Sequence, residues 1–250
     1  VTQAEPIRIL GLVDGPMPPS SAMENCAGLG IELLPYVECM PLGPTPCLMA
    51  GPVNQWRLNL GLSAGFSGFV ELSGMQTSPD VWAACATAVA AGGIAVSLTS
   101  ASAYGHDIPA PFIAAIARLF PNAACIAALE LALYEALANA IIHGNLGIDS
   151  SLRGSAEDLR AYRAALAHAL SDPARSARRV TICCYPQGDL LRLSVRDQGD
   201  GWDVTSRLHG PARAEAKSGR GLDLIRQTAK AIHAEDRGRH LIMDFHRHPA

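Results

Sequence analysis

The longest apolar pattern in the chain runs from Leu129 to Asn145, LELALYEALANAIIHGN, and its spacing predicts a helix. Glu135 and Asn139 stand four apart inside it, so on a helix they project from one face. Two polar groups among Ala, Leu and Ile are costly to bury unless something uses them. Alternation at Leu191, Leu193 and Val195 predicts a half-buried strand. With Val180 to Tyr185 and the Pro186-Gln-Gly188 turn it makes a β-hairpin ending at Arg196. Farther on, Leu222, Ile225, Ala229 and Ile232 recur at helical spacing, and Leu241, Met243 and Phe245 predict a last strand.

The first third is patterned in shorter pieces. Ile7 to Val13 reads as a core strand closed at Asp14-Gly15, Ser20 or Ser21 as the cap of a short helix through Leu29, and Ile31 to Val37 as a second strand. Prolines at 35, 41, 44, 46 and 52 argue against regular structure over much of the next stretch. Gly68 to Leu72 predicts a strand, Ser78-Pro79 starts a helix to about Ala91, Ile94 to Thr99 is a further strand, and Pro109 or Pro111 starts a helix to Phe120. Alternating strands and helices predict a small α/β domain with a largely parallel sheet over residues 1–93 and a second domain over 94–250. The uncharged span Val81 to Gly105 is broken by Gly92-Gly93 and has acids near both ends, so a helix, a turn and a buried strand explain it better than a membrane span. Between the helix ending at Asn145 and the hairpin, Ser155 and Asp158 predict a capping box, and Leu159, Tyr162, Leu166 and Ala169 a helical stripe stopped at Ser171-Asp-Pro173.

Composition narrows the function classes. The 250 residues are 49% hydrophobic and 17% charged, enough to fill one large or two modest cores. A net charge of -3 without a basic stripe argues against nucleic acid as a direct partner. Seven cysteines without a CxxC spacing read as reduced thiols, and no basic-then-apolar segment opens the sequence, so a cytoplasmic protein is expected.

Three motifs carry chemistry: Glu135 with Asn139 on a helix, Asp197-Gln198-Gly199-Asp200-Gly201 directly after a strand, and Gly219-Arg220-Gly221-Leu222 opening a helix. In this order they resemble the N, G1 and G2 boxes of the Bergerat-fold, or GHKL, ATPases, the superfamily of gyrase and histidine kinases. The wording EALANAIIHGN is most similar to the anti-sigma-factor serine kinases and to their relatives fused to response-regulator or phosphatase modules. The resemblance covers about residues 94–248 and implies an α/β sandwich, a mixed sheet with helices on one face, binding ATP with Mg²⁺. In that frame Asp197, an acceptor-only group, takes the exocyclic amine of adenine and so selects ATP over GTP. Gly199 and Gly201 let the backbone approach base and ribose. Arg213 and Lys217 lie in a short lid within reach of the phosphates, and Gly219, Arg220, Gly221 and Leu222 offer free backbone N–H groups to them. Asn139 supplies a neutral oxygen suited to Mg²⁺, and Glu135 orients and deprotonates a nucleophile that is water in an ATPase or a seryl hydroxyl in a kinase. His143 is placed beside the nucleotide by the resemblance, with a helix cap as the alternative.

The N-terminal pattern faintly resembles a response-regulator receiver, with Asp14 near the end of the first strand. Glu71-Leu-Ser-Gly stands where a phosphoacceptor Asp is expected, and residues 1–93 contain no Lys, so the reading is a degenerate interaction domain that does not accept phosphate. His106-Asp-Ile-Pro-Ala-Pro resembles a histidine-kinase phosphoacceptor box with Pro109 in place of its basic residue. Only 33 residues separate His106 from Asn139, too few for two long dimerisation helices, so His106 reads as a loop residue. The expected function is a serine/threonine protein kinase of the anti-sigma type. It would phosphorylate an anti-anti-sigma-like antagonist protein and sequester a partner such as a sigma factor; a homodimer is compatible with this, and no membrane partner is expected. The alternatives are a nucleotide-dependent binding switch without turnover and an unorthodox histidine kinase.

Overall fold

The computed structural model describes residues 8–38, 42–72, 77–148, 156–201 and 225–248. The chain begins with β1 (Ile9–Val13), α1 (Ser20–Gly28), β2 (Ile31–Pro35), β3 (Cys47–Gly51), α2 (Gln55–Gly61), β4 (Gly68–Glu71), α3 (Pro79–Ala90) and β5 (Ile94–Thr99). Helices α4 (Ser100–Gly105), α5 (Pro109–Leu119) and α6 (Ile126–Ala138) come next, the last widening into a π-helical segment, Asn139–Asn145. Then come α7 (Ala156–Ser171), α8 (Pro173–Ser176), β6 (Arg179–Gln187), β7 (Leu190–Arg196), β8 (Ala231–Glu235) and β9 (His240–His246). The described strands form one nine-stranded sheet in the order β2-β1-β3-β4-β5-β6-β7-β9-β8.

The first five strands are all parallel, in the flavodoxin-like doubly wound order. Alternate side chains serve two cores. Ile9, Val13, Leu48, Ala50 and Val70 meet α1 and α3 through Cys26, Trp82, Cys85 and Val89, whereas Leu12, Met49, Phe69, Val96 and Leu98 join Leu58 of α2 and the helices beyond β5. Strand β3 corrects the expectation drawn from the prolines. Pro46 and Pro52 bracket Cys47–Gly51 without interrupting it, and the run CLMA is buried on both faces, as a central parallel strand requires.

From β5 onward every pairing is antiparallel. Strand β5 pairs with β4 on one side and β6 on the other, so the sheet runs unbroken past Gly93. On this half, α5 and α6 cover one face through Phe112, Ile116, Leu129, Leu133 and Leu137, which pack on Val180, Ile182, Leu193, Val195, Met243 and Phe245. The segment Ile126–Asn145 is long and apolar enough to cross a membrane by length and composition, but Leu129, Ala132, Leu133 and Ala136 are buried in this core. Val81 to Gly105 comprises most of α3, a turn, β5 and α4.

Two further boundaries differ from the pattern. The helical stripe ending at Ile232 overruns, because residues 225–228 are helical and Ile232 lies in β8, paired with Met243. Four apolar residues at helical spacing also fit a helix followed by a strand when two of them lie beyond the helix. Pro186 and Gln187 belong to β6, and the hairpin turns at Gly188, whose φ of +59° favours glycine.

A polar seam joins the parallel and antiparallel halves. Arg179, 7% exposed, donates from Nε to Ser97 Oγ (3.2 Å) and from Nη2 to the Glu71 carbonyl (2.7 Å). The Glu71 carboxylate accepts from the Thr99 N–H (2.6 Å) and Ser102 Oγ (2.8 Å). Ser97 and Thr181 hydroxyls pair at 3.0 Å. Burial pulls the guanidinium below its ordinary pKa and Glu71 opposes that, the balance expected of a buried charge with a partner.

Candidate functional site

Helix α6 buries Leu129, Ala132, Leu133, Ala136 and Leu137, a stripe at helical spacing, and holds Glu135 and Asn139 half-buried along its margin. The Asn139 N–H still donates to the Glu135 carbonyl, so the two side chains lie one α-turn apart. Beyond Asn139 the helix widens: the Leu146 N–H donates to the carbonyl of Ile141 at 2.9 Å, five residues back. Such π segments recur at functional sites. His143 donates from Nδ1 to the Ile148 carbonyl at 2.5 Å, which fixes the proton on Nδ1 and closes the helix end.

This end of the helix abuts the turn after β7. Strand β7 delivers Val195 to the core and, two residues on, turns Asp197 to the same face. A Cβ on Gly144 would lie 2.6 Å from Asp197 Cγ, and one on Gly199 would lie 2.0 Å from the Gly144 carbonyl oxygen. The two glycines and the carboxylate are therefore packed in direct contact. Gly199 is required here by the neighbouring helix, a reason additional to any approach of a base. Gly201 adopts φ +81°, and a Cβ there would meet the Arg237 carbonyl at 2.7 Å, so the β8–β9 turn forms the next wall.

Asp197 is 6% exposed and its Oδ1 accepts the Gly199 N–H at 2.8 Å. Burial pushes its carboxyl up to about 6, with the Gly199 bond and the charges of Arg239 and Arg178 opposing. Asn145, fully buried, accepts the Gln198 N–H at Oδ1 (2.7 Å) and donates from Nδ2 to the Arg179 carbonyl (3.0 Å). Arg178 donates to the Asn145 carbonyl (2.9 Å) and approaches exposed Asp200 at 3.5 Å. A cleft of about 330 Å³ beside the turn has Asp197, Gln198 and Arg239 on one side and Ser78, Asp80 and Ala84 of the N-terminal part on the other.

A helix carrying an acid and an amide one turn apart, ending against a buried Asp in a glycine-bounded turn, is the arrangement around which one family profile fits: that of the Histidine kinase-like ATPase domain, over residues 110–245. The chain belongs to this family. Members are GHKL proteins, ATP-binding and kinase-like, and usually use Mg²⁺ with the nucleotide. The match starts within α5, so β1 to β5 lie outside it. A search of curated proteins finds no match.

Of the residues singled out from the sequence, the histidine kinase-like ATPase fold brings Asp197 and Gly199 to the end of the helix that carries Glu135, Asn139 and His143, and sets Gly201 against Arg237 of the β8–β9 turn. Arg213, Lys217, Gly219, Arg220, Gly221 and Leu222 lie outside the described residues, as does Ser155. Asn145, Arg178 and Arg179 belong to the site without belonging to any of the three motifs. For Asn145 a signal does exist, since an amide six residues past Asn139 in an apolar helix poses the same burial problem as Asn139 itself. His106, expected to be a loop residue, follows α4 and donates from Nδ1 to the Ser102 carbonyl at 2.8 Å.

Proposed function

We propose that the protein is an ATP- and Mg²⁺-dependent serine/threonine protein kinase of the anti-sigma type. The observation that carries the ATP site is Asp197: a buried carboxylate with one oxygen on the Gly199 N–H, raised toward neutrality by desolvation, is satisfied by a donor such as the amine of adenine. Asn139, half-buried one turn beyond Glu135, would hold Mg²⁺ through its side-chain oxygen, and the ion would supply charge stabilisation at the phosphates. Glu135 would accept the proton of the attacking hydroxyl, and that hydroxyl belongs to a seryl or threonyl residue of a small antagonist protein, with a sigma factor as the sequestered partner.

The N-terminal strands support descent from a receiver that has lost its chemistry. Their order is flavodoxin-like, yet the position assigned to Glu71 from the sequence moves, because Cys47–Gly51 is the third strand and Glu71 ends the fourth; β3 ends at Gly51-Pro52 without a carboxylate, and Asp14 is bound by Arg57 Nε at 2.5 Å. Such a domain acts through contact with a protein and not by phosphorylation.

Incubation of the full chain with γ-labelled ATP, Mg²⁺ and a cell extract, followed by acid and alkali treatment of the labelled proteins, tests the reading. Label on a second protein that survives acid supports a serine/threonine kinase. Acid-labile label on the chain itself, lost in His106→Ala, supports a histidine kinase. ATP binding without any label leaves the nucleotide-dependent switch.

A further inference from the structure

We infer that Asn145 is a positioning residue for adenine selectivity: its amide is a wedge in the β6–β7 ladder that turns Asp197 out of the strand and into the site. The inference rests on the proposed ATP site. The ladder pairs Thr181 with Arg196, and continued by two residues it would set Arg179 against Gln198. In a regular antiparallel pair these two exchange backbone hydrogen bonds directly. Here neither bond is direct. The Gln198 N–H donates to Asn145 Oδ1 at 2.7 Å and Asn145 Nδ2 donates onward to the Arg179 carbonyl at 3.0 Å. The Arg179 N–H donates to the Gln198 side chain, at Oε1, 2.7 Å away.

One amide thus stands between the strands, and it is matched to both partners. A side-chain amide, with an acceptor and a donor on one carbon, bridges an N–H and a carbonyl in this way. On its other side the chain stays in register, since the Asp197 N–H donates to the Arg239 carbonyl at 2.8 Å. The strand is therefore held to β9 while it is prised from β6, and the Asp197 carboxylate comes to rest on Gly144 with Oδ1 on the Gly199 N–H. The wedge reaches the ladder because it ends the π-helical segment, which places Asn145 wholly inside the protein.

Without the wedge, Gln198 N–H and Arg179 carbonyl close on each other and the turn after β7 rotates. Asp197 then loses its aim while Asn139, a turn and a half back on the helix, keeps its own. The test is titration of the full chain and of Asn145→Ala and Asn145→Ser with ATP and GTP, each with and without Mg²⁺, with thermal melting as the folding control. Asn145→Ala should lower the ATP-over-GTP ratio by about tenfold or more while the gain in affinity on adding Mg²⁺ is unchanged. Asn145→Ser, which keeps a donor and an acceptor, should recover part of the ratio. A merely structural loss would weaken both nucleotides and the Mg²⁺ response together. In the unmodified chain the Gln198 amide should be protected from hydrogen exchange before nucleotide is added, a measurement that does not depend on any variant folding. Wild-type ratio in folded Asn145→Ala, or an unprotected Gln198 amide, overturns the inference and leaves the ATP site standing. A wild-type chain that binds both nucleotides equally overturns the ATP-site reading and this inference with it.

Discussion

Gly144→Ala sets two effects of opposite sign against each other. Gly144 does not adopt a positive φ, so its backbone accepts Ala, and replacing Gly by Ala inside a helix ordinarily stabilises by about 0.5–1 kcal/mol. Against this, the new Cβ would lie 2.6 Å from Asp197 Cγ and 2.7 and 2.8 Å from its oxygens. The carboxylate cannot simply swing away, because Oδ1 is held by the Gly199 N–H and Gly199 is itself packed on the Gly144 carbonyl. Overpacking of this kind costs roughly 1–3 kcal/mol, so the clash outweighs the helix gain and the variant is less stable by up to about 2 kcal/mol. At this chain length each kcal/mol lowers the melting temperature by about 2–4 °C.

The larger consequence is on binding. With Asp197 meeting the base as proposed, shifting the carboxylate would remove a charged hydrogen bond worth roughly 1.5–3 kcal/mol, or about 10- to 150-fold in ATP affinity. GTP, which presents a carbonyl where adenine presents its amine, gains nothing from Asp197 and is affected less. Thermal melts and calorimetric titration with both nucleotides measure the two effects. A variant that melts at or above the wild-type temperature and binds ATP as tightly would refute the contact between Gly144 and Asp197.

Other outcomes are expected at the same site. Because the folded pKa of Asp197, about 6, lies above its ordinary 3.8, the stability it contributes is complete below about pH 4 and is lost as pH rises to about 6. Wild type minus Asp197→Asn should show that loss, on the order of 3 kcal/mol, in denaturant melts of the nucleotide-free protein; a difference that grows with pH would contradict it. ATP affinity should move the other way, rising as pH passes through about 6 in wild type and not in Asp197→Asn. Glu135→Ala should keep ATP binding and lose about 10²–10⁴-fold in phosphotransfer, whereas Asn139→Ala should lose the Mg²⁺-dependent part of binding; titration and turnover on each variant decide, and a Glu135→Ala protein with normal turnover removes the general-base role. Labelled acetyl phosphate should leave no label on the N-terminal part, where Arg57 occupies the Asp14 carboxylate, and label that disappears in Asp14→Asn would restore an active receiver.

The sequence is most informative where local pattern and tertiary role coincide. The stripe of Leu129, Leu133 and Leu137 is the core face of α6, and the alternation through Val195 carries the strand that ends at Asp197. It is least informative where packing overrides pattern. β3 hides between prolines because a short central strand shows no alternation, and β8 hides in a helical stripe because Ile232 serves a strand two residues after the helix has ended its spacing. Their apolar neighbours make Glu135 and Asn139 look buried, yet they sit half-buried at the margin of the stripe. Asn145 shows the converse. It is the buried amide of the helix, and its partners, the Arg179 carbonyl and Gln198 N–H, are 34 and 53 residues away, where no local spacing can reach.

The topology aligns the strand ends of the two parts of the chain along one edge. Strand β6 runs against both β5 and β7, so β5 and β7 point the same way, and the C-terminal ends of β1, β3, β4, β5 and β7 fall on one side of the sheet. That side carries Asp14, Gly51, Glu71, Thr99 and Asp197 in strand order. The carboxyl ends of the parallel strands and the turn beside the nucleotide motif therefore lie along one side of the sheet. Arg179 stands between them. Its side chain is spent on Glu71 and Ser97 in the parallel strands, and its backbone on Asn145 and Gln198 beside the G1 turn. A guanidinium buried to this extent is costly unless its partners stay in place, so any displacement of β4 against β6 would strand a charge. Spatial connection by itself is not coupling, which requires an element with two arrangements that both sites bias. The place where such an element fits is the turn after β7, since there the ladder to β6 is held open by the Asn145 amide, and the bonds that bridge it run to the helix end and to Arg179 while the Asp197 N–H keeps its bond to Arg239.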